Sequence, residues 1–384
     1  MKDKSFNANQ NKAVSYGEGP LLIVAGPGSG KTTVLTHRIK YIIDDLHAAP
    51  ESVLVMTFSR AAAEEMKERF LNMGVKGADK VVFGTFHSVF YRVLQTAYGR
   101  LARNYIFDDE SENAAKFDEM LKLTEELFKE RKDIREKVIN KYRWILLDEF
   151  QDIDRLQYEI VRLIAPPERH PNLTVVGDDD QSIYAFRGAD PKIMLGFGQD
   201  YPGTEKIVLD VNYRSKAEIT SAAMRLIRHN EYRFEKDIIS FNGSGGDVKI
   251  LEFKDVRSEY GYIADEIVSS IRQGRAAKEI AVLHRNNAQP WQFEALLRDK
   301  GVTGVHLMTF HKSKGLEFEE VWMIDADEIV TPGTKTGKQE DIEEERRLFY
   351  VAMTRAKEKL RICFGKEYKN RHTVRSRFVD ECIK

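Results

Sequence analysis

Leu21-Leu22-Ile23-Val24-Ala25 runs straight into Gly26-Pro27-Gly28-Ser29-Gly30-Lys31-Thr32, and Val34, Leu35, Ile39 and Ile42 then recur at helical spacing. An unbroken apolar run, a glycine-rich turn and an amphipathic stretch make a strand–loop–helix unit. The loop fits the pattern G-x-x-x-x-G-K-[ST], whose glycines let backbone N–H groups turn inward onto phosphate oxygens. Gly26, Gly28, Ser29 and Gly30 would form that cradle, with the positive end of the following helix behind it. Lys31 would reach the terminal phosphates, and the Thr32 hydroxyl would ligate Mg2+. These residues predict a nucleoside triphosphate site.

A second signal fits the first. Trp144-Ile145-Leu146-Leu147 ends in Asp148-Glu149-Phe150-Gln151-Asp152. A carboxylate at the C-terminal end of a buried strand stands where parallel sheets place their chemistry. Asp148 is the expected Mg2+ partner, and Glu149 the expected acceptor of a proton from the attacking water.

Further apolar runs lie at 53–58, 173–176, 206–209, 248–253, 279–284, 305–310, 321–324 and 360–364, with amphipathic stretches between them. Such runs predict an α/β fold whose parallel sheets are covered on both faces. The runs form two series that part near Asp210, which predicts tandem domains at 1–208 and 209–384. Residues 95–142 differ. Phe117, Met120, Leu121, Leu127 and Phe128 recur at helical intervals amid many charges, the pattern of a helical insertion on the surface. Asn242-Gly243-Ser244-Gly245-Gly246 reads as a flexible turn and 331–339 as an exposed loop. No internal repeat is evident.

The 384 residues are 42% hydrophobic, enough for two cores of ordinary size. A net charge of −1 lacks the basic excess of duplex binders that rely on counterion release. A nucleic-acid partner would have to be held by local cations and by aromatic stacking, as single strands are. No apolar run approaches the roughly 20 residues of a membrane span. The opening Met1-Lys2-Asp3-Lys4-Ser5-Phe6 lacks the profile of a secretory signal. Cys363 and Cys382 show no metal-ligand spacing. The expectation is a cytoplasmic protein without membrane contact.

Beyond the loop and the acidic strand end, more segments fall in a consistent order. They are Phe6-Asn7-Ala8-Asn9-Gln10, Thr57-Phe58-Ser59-Arg60-Ala61, Gly84-Thr85-Phe86-His87-Ser88 and the stretch 175–189 containing Gly177-Asp178-Asp179-Asp180-Gln181-Ser182-Ile183-Tyr184-Ala185-Phe186-Arg187-Gly188. The second half adds Asn212-Tyr213-Arg214-Ser215, Thr309-Phe310-His311-Lys312-Ser313-Lys314-Gly315-Leu316-Glu317-Phe318 and the stretch 344–356 ending in Thr354-Arg355-Ala356. Together these resemble the superfamily 1 DNA helicases of the UvrD, Rep and PcrA group over most of the chain.

The resemblance implies two tandem RecA-like domains with ATP in the cleft between them. It assigns Gln10 to adenine, Tyr213 to stacking on the base and Glu317 to the ribose. Arg214, Arg355 and Arg187 are the implied γ-phosphate contacts, a task suited to a planar cation that stays charged. Gln181 is the implied γ-phosphate sensor or water-positioning group. Thr33 stands where the family often has an arginine against the base. Implied DNA contacts are Thr57, Phe58, Arg60, Thr85, Phe86, His87, Tyr184, Phe186, Arg285 and His311. Phe186 replaces the family's usual tryptophan, and Arg60-Ala61 its Asn-Lys.

Family members carry two large insertions, one in each motor domain. Here only 95–142 is left for the first, and 293–301 passes through Val302-Thr303-Gly304 almost directly into the run at 305. The expectation is a motor core that hydrolyses ATP with Mg2+, responds to single-stranded DNA and moves along it 3′ to 5′. Unwinding would be weak or need a protein partner, and the chain would be a monomer. Motors of this kind serve DNA repair and replication. The rival from another class is an ATP-gated switch that clamps DNA or a protein without travelling. The guanine signature N-K-x-D is absent, and no nuclease motif follows Arg355.

Overall fold

Strands that are apolar along their whole length need cover on both faces, which parallel pairing with helical crossovers provides. The computed structural model describes residues 6–99, 113–286, 290–333, 337–369 and 371–383. In the first half of the chain, β1 (Leu21–Ala25), β2 (Val53–Thr57), β3 (Val82–Thr85), β4 (Trp144–Leu147), β5 (Asn172–Gly177) and β6 (Glu205–Leu209) form one sheet. Its order is β3-β2-β4-β5-β1-β6, with every pairing parallel. β1, β2 and β4 are buried at every residue. The helices are α1 (Ala8–Val14), α2 (Lys31–Asp44), α3 (Arg60–Leu71), α4 (Phe86–Tyr98), α5 (Asn113–Glu130), α6 (Lys132–Lys141), α7 (Arg155–Ile164) and α8 (Pro191–Asp200).

The second half opens with a short parallel ladder of β7 (Val211–Asn212) and β8 (Ile239–Ser240), spanned by α9 (Ala217–Ile227). Then come β9 (Asp247–Phe253), α10 (Val256–Arg272), β10 (Ile280–His284), α11 (Pro290–Asp299), β11 (His306–Thr309), β12 (Phe318–Met323), α12 (Gln339–Met353), β13 (Ala356–Gly365) and α13 (Arg377–Ile383). The sheet order is β11-β10-β12-β13-β9, again all parallel. By residue contacts the chain divides into two units. The first comprises Met1–Ala25, Gly30–Asp179 and Tyr184–Leu209; the second comprises Gly26–Ser29, Asp180–Ile183 and Asp210–Lys384. Two short segments of the first half thus pack with the second unit.

Five strands of each sheet share one connectivity: third, second, fourth, fifth, first. At equivalent ends, β3 and β11 run into Thr85-Phe86-His87 and Thr309-Phe310-His311, the same three residues. Each threonine hydroxyl accepts the N–H three residues on, from Ser88 and from Lys312, both at 3.2 Å. The sequence shows no internal repeat, yet the two sheets repeat one plan.

Three local expectations change. β3 has no counterpart among the apolar runs, because Val82-Phe83-Gly84-Thr85 is short, lies at a sheet edge and contains glycine. Residues 95–142 are more than a surface insertion: Met120, Leu121, Leu127 and Phe128 of α5 are buried, and Phe128 meets Phe90 of α4 edge-on at 6.1 Å. Residues 100–112 lie outside the described residues. The expected exposed loop at 331–339 begins with buried Thr331 and Pro332, and 334–336 lie outside the described residues. No described helix is long and apolar enough to cross a membrane.

Two buried ionisable side chains shape the cores. Arg38 on α2 donates to the Thr174 hydroxyl at 2.9 Å and to the carbonyls of Ala13 at 3.3 Å and Tyr16 at 2.7 Å, which ties α2 to the C-terminal end of α1. Burial pulls its pKa down to about 10. In the second unit, Glu259 of α10 is fully buried and one carboxyl oxygen accepts the Asp325 N–H at 2.9 Å. Its other oxygen, Oε2, has no partner among the described residues. Burial, then the neighbouring charge of Asp325, push the Glu259 pKa well above the usual carboxylate range.

A carboxyl whose folded pKa is raised gives stability that is complete below the unfolded pKa and is lost as pH rises through the folded one. Glu259→Gln keeps the acceptor for Asp325 and removes the ionisation. We expect a thermal midpoint a few degrees higher than that of the unmodified protein at pH 8, with the difference vanishing near pH 4. An equal shift at both pH values would contradict a buried, protonated Glu259.

Candidate nucleotide and nucleic-acid site

Parallel pairing sends the C-terminal ends of β1, β4 and β5 to one edge, and the chemical residues of the first unit follow these ends. Gly30 begins α2 in the left-handed region at φ 80, where only glycine is unstrained. A Cβ there would lie 3.3 Å from the Gln10 side-chain nitrogen, so that amide rests against the loop. Asn7 and Gln10 hold each other in a reciprocal cap at 2.8 and 3.1 Å, which fixes the short helix α1.

Lys31 Nζ lies 3.3 Å from Glu149 Oε1. Burial works against its charge, but Glu149, Asp148 and Asp178 outweigh it and raise its pKa. Glu149 sits at φ 52, and its carboxylate accepts from the Gln151 amide. The Gln151 oxygen in turn accepts the Asp178 N–H at 2.9 Å, joining the ends of β4 and β5. Gly177 makes this possible, since a Cβ there would fall 2.5 Å from that oxygen. Asp148 Oδ1 is buried without a partner among the described residues. Burial, then the Glu149 charge, push the Asp148 pKa up to about 7. A buried carboxylate oxygen without a donor, whose charge is felt at Lys31 beside Thr32, is a hard oxygen of the kind that suits Mg2+. Thr33 is exposed on the same turn of α2.

In the second unit, the segment Gly26–Ser29 packs against the turn after β7 that carries Tyr213. The Tyr213 N–H donates to the Gly28 carbonyl at 2.9 Å, and a Cβ on Gly28 would lie 2.6 Å from Arg214 Cβ. Asn212 Oδ1 accepts the N–H groups of Arg214 and Ser215 at 2.7 and 2.9 Å, and so sets the turn that presents Arg214. Arg214 Nε is 2.7 Å from Glu317 Oε2, and Lys357 is 3.0 Å from the other oxygen of Glu317. Buried Arg355 donates to the carbonyls of Val351 and Leu316 and to Gln181 Oε1 at 3.2 Å. Tyr213 meets Phe241, with ring centroids 4.9 Å apart.

The candidate nucleic-acid residues separate into two groups. Phe58, 37% exposed, stacks on Tyr184 at 5.3 Å, and Phe186, 71% exposed, meets Tyr184 at 5.9 Å. The Arg187 guanidinium lies over Phe58 and Tyr184 at 5.6 and 6.0 Å. Arg187, an implied γ-phosphate contact, thus lies against the aromatic rings. Phe86 is 7% exposed and packs on Phe90, so it serves the core. Thr57 is fully buried, and its hydroxyl donates to the Ser59 carbonyl at 2.9 Å; it shapes the turn after β2. The Thr85 hydroxyl likewise caps α4.

Arg60 is exposed and pairs with Glu64 at 2.8 Å. Arg285 makes a two-pronged pair with Glu345 at 2.9 and 2.5 Å. His87 and His311 have pKa values lowered by burial, His311 to about 4, with Arg285 adding to the effect there. His311 is thus a neutral ring at pH 7, not a cation for phosphate.

The profile of the UvrD/REP helicase N-terminal domain matches residues 6–112 and 99–202, and that of the UvrD-like helicase C-terminal domain matches 207–304 and 296–367. The chain belongs to the UvrD/REP helicase family. ATP-dependent DNA helicase PcrA of Staphylococcus epidermidis is 34% identical over 74% of this chain and 48% of its own length. The protein of the same name from Staphylococcus aureus is 33% identical over the same shares. This UvrD/REP family chain spans about half the length of the curated relatives it matches.

Sequence reasoning passed over one ionic cluster beside Gln181. Asp180 is fully buried and accepts from Arg233 at 2.9 and 2.8 Å and from Lys236 at 2.9 Å. Arg233 and Lys236 lie more than 50 positions away and outside every motif, so only folding reveals the pairing. Burial works against the Asp180 charge, but Lys236 and Arg233 outweigh it and depress the pKa. Asp180→Asn would strand two buried cations. The expected loss is about 3–5 kcal/mol of unfolding free energy, read from the urea midpoint. A change within about 0.5 kcal/mol would show that the cluster adds nothing.

Proposed function

We propose that the chain is an ATP-hydrolysing motor that grips single-stranded DNA and moves along it 3′ to 5′. The observation that carries this reading is the single segment 178–187. Asp178 at its start shares in the charge environment of Lys31, Gln181 bonds Arg355, and Tyr184, Phe186 and Arg187 form the exposed aromatic platform. A change at the phosphates thus has a path of fewer than ten residues to a surface suited to bases. The names of the relatives, which include ATP-dependent DNA helicases, support the same substrates.

Thr32 and Asp148 would hold Mg2+, which when bound neutralises charge on the phosphates. Lys31 leaves Glu149 for the terminal phosphates as ATP enters. That frees the Glu149 carboxylate to accept a proton from the attacking water. Arg214 and Arg355 stabilise charge on the transferred group, and Gln181 positions the water. Gln10 and Tyr213 hold the base. Bases stack on Phe58, Tyr184 and Phe186 without regard to sequence. The junction of α11 and β11, residues 300–305, leaves no room for an accessory domain in the second unit. Duplex separation is therefore expected to need a protein partner, with the chain itself acting as a monomer.

ATP hydrolysis is expected to rise when single-stranded DNA is added; equal rates with and without it would sink the motor reading. Glu149→Gln should lower kcat by about 10²–10⁴-fold while leaving ATP binding in place. Phe186→Ala should weaken oligonucleotide affinity by about 1–3 kcal/mol, measured by fluorescence anisotropy. Phe86→Ala should instead lower stability by about 3–5 kcal/mol. Translocation along tailed duplexes separates a motor from a static clamp and fixes polarity.

A further inference from the structure

The shared plan of the two sheets makes β10 the counterpart of β2. In the first unit, the residue directly after β2 is Phe58, a half-exposed ring at the C-terminal edge of the sheet. In the second unit, the chain leaving β10 enters α11, whose second residue is Trp291, 67% exposed. Phe293 and Leu297 of α11 are buried in the core of that unit. Trp291 precedes Phe293 by two positions, about 200° around the helix, and so faces away from the core.

A tryptophan bared in the first turn after β10 offers a broad flat ring face to a partner at this edge of the sheet. The chemistry around it points to the occupant. Lys312 stands three positions past the end of β11, the strand beside β10, and its charge is felt at His284, so a cation lies at this edge next to the Arg285–Glu345 pair. Aromatic faces interleaved with cations are the signature of single-strand binding.

We propose that Trp291, in the first turn of the helix that follows β10, stacks on a base of single-stranded DNA. This rests on the reading of the chain as a single-stranded-DNA motor. No assigned motif contains Trp291, and composition alone does not single it out.

The chain has three tryptophans, and Trp144 and Trp322 are buried, so Trp291 is the one within reach of an added oligonucleotide. The test titrates the full chain with an oligothymidylate, following tryptophan emission and the anisotropy of a labelled oligonucleotide in parallel. Saturable quenching is expected in the unmodified chain and in Trp144→Phe, and its loss in Trp291→Phe. Trp291→Ala should bind about 5- to 100-fold more weakly, the worth of one base stack, while Trp291→Phe keeps part of the affinity. Binding by anisotropy with unchanged emission, or equal affinity of Trp291→Ala, overturns the proposal and leaves the motor reading standing. It would assign the ring to a protein surface instead. No binding by the unmodified chain at all overturns both.

Discussion

Parallel strand pairing is the constraint from which the arrangement of this protein follows. Every strand of a parallel sheet ends at the same edge, so the turns after β1, β2, β4 and β5 bring Lys31, Phe58, Glu149 and Asp178 to one side of the first unit although the chain separates them by more than 140 residues. The second sheet does the same for His284, Thr309 and the residues that follow them. The crossovers that make this possible cover both faces of each sheet and leave the strands no polar face. The interior is therefore mostly apolar, and the few polar groups taken inside, such as Arg38 and Glu259, need partners there.

Charges that are taken inside are held in specific company. Lys31 sits among three carboxylates, Asp180 between Arg233 and Lys236, and Arg38 against the carbonyls that end α1. Isolated, each would cost several kcal/mol to bury. Paired, each fixes the geometry of a neighbour: Asp180 precedes Gln181, and Arg38 anchors the short helix that carries Gln10. Glu259 follows the opposite course: burial and the neighbouring Asp325 push its pKa up and favour the neutral form.

Much of the fold is legible in the sequence because strands buried on both faces are written as continuous apolar runs. Leu21–Ala25 and Trp144–Leu147 are read without error for that reason. Val82–Thr85 escapes because an edge strand needs fewer apolar residues and here includes a glycine. For the candidate site, motif order marks out the glycine-rich loop and the arginines. It does not tell an exposed ring from a buried one, so Phe86 and Phe58 look alike on paper. Pairings between distant segments, such as Arg233 with Asp180, have no local signature. The shared plan of the two sheets is equally hidden, since three residues at one strand end are too few to register as a repeat.

The link between α11 and β11 has a consequence for how such a chain can change. It enters β11 at its N-terminal end, on the side of the sheet remote from the turns after β10 and β11, and Gly301 and Gly304 hold it in left-handed turns at φ 72 and 85. Doubling the length of a flexible loop costs only about 0.6 kcal/mol of closure entropy. Extra sequence spliced there would hang from the back of the sheet and leave every strand end at the front undisturbed. The link is a place where the chain can change length while the strand ends at the front keep their spacing.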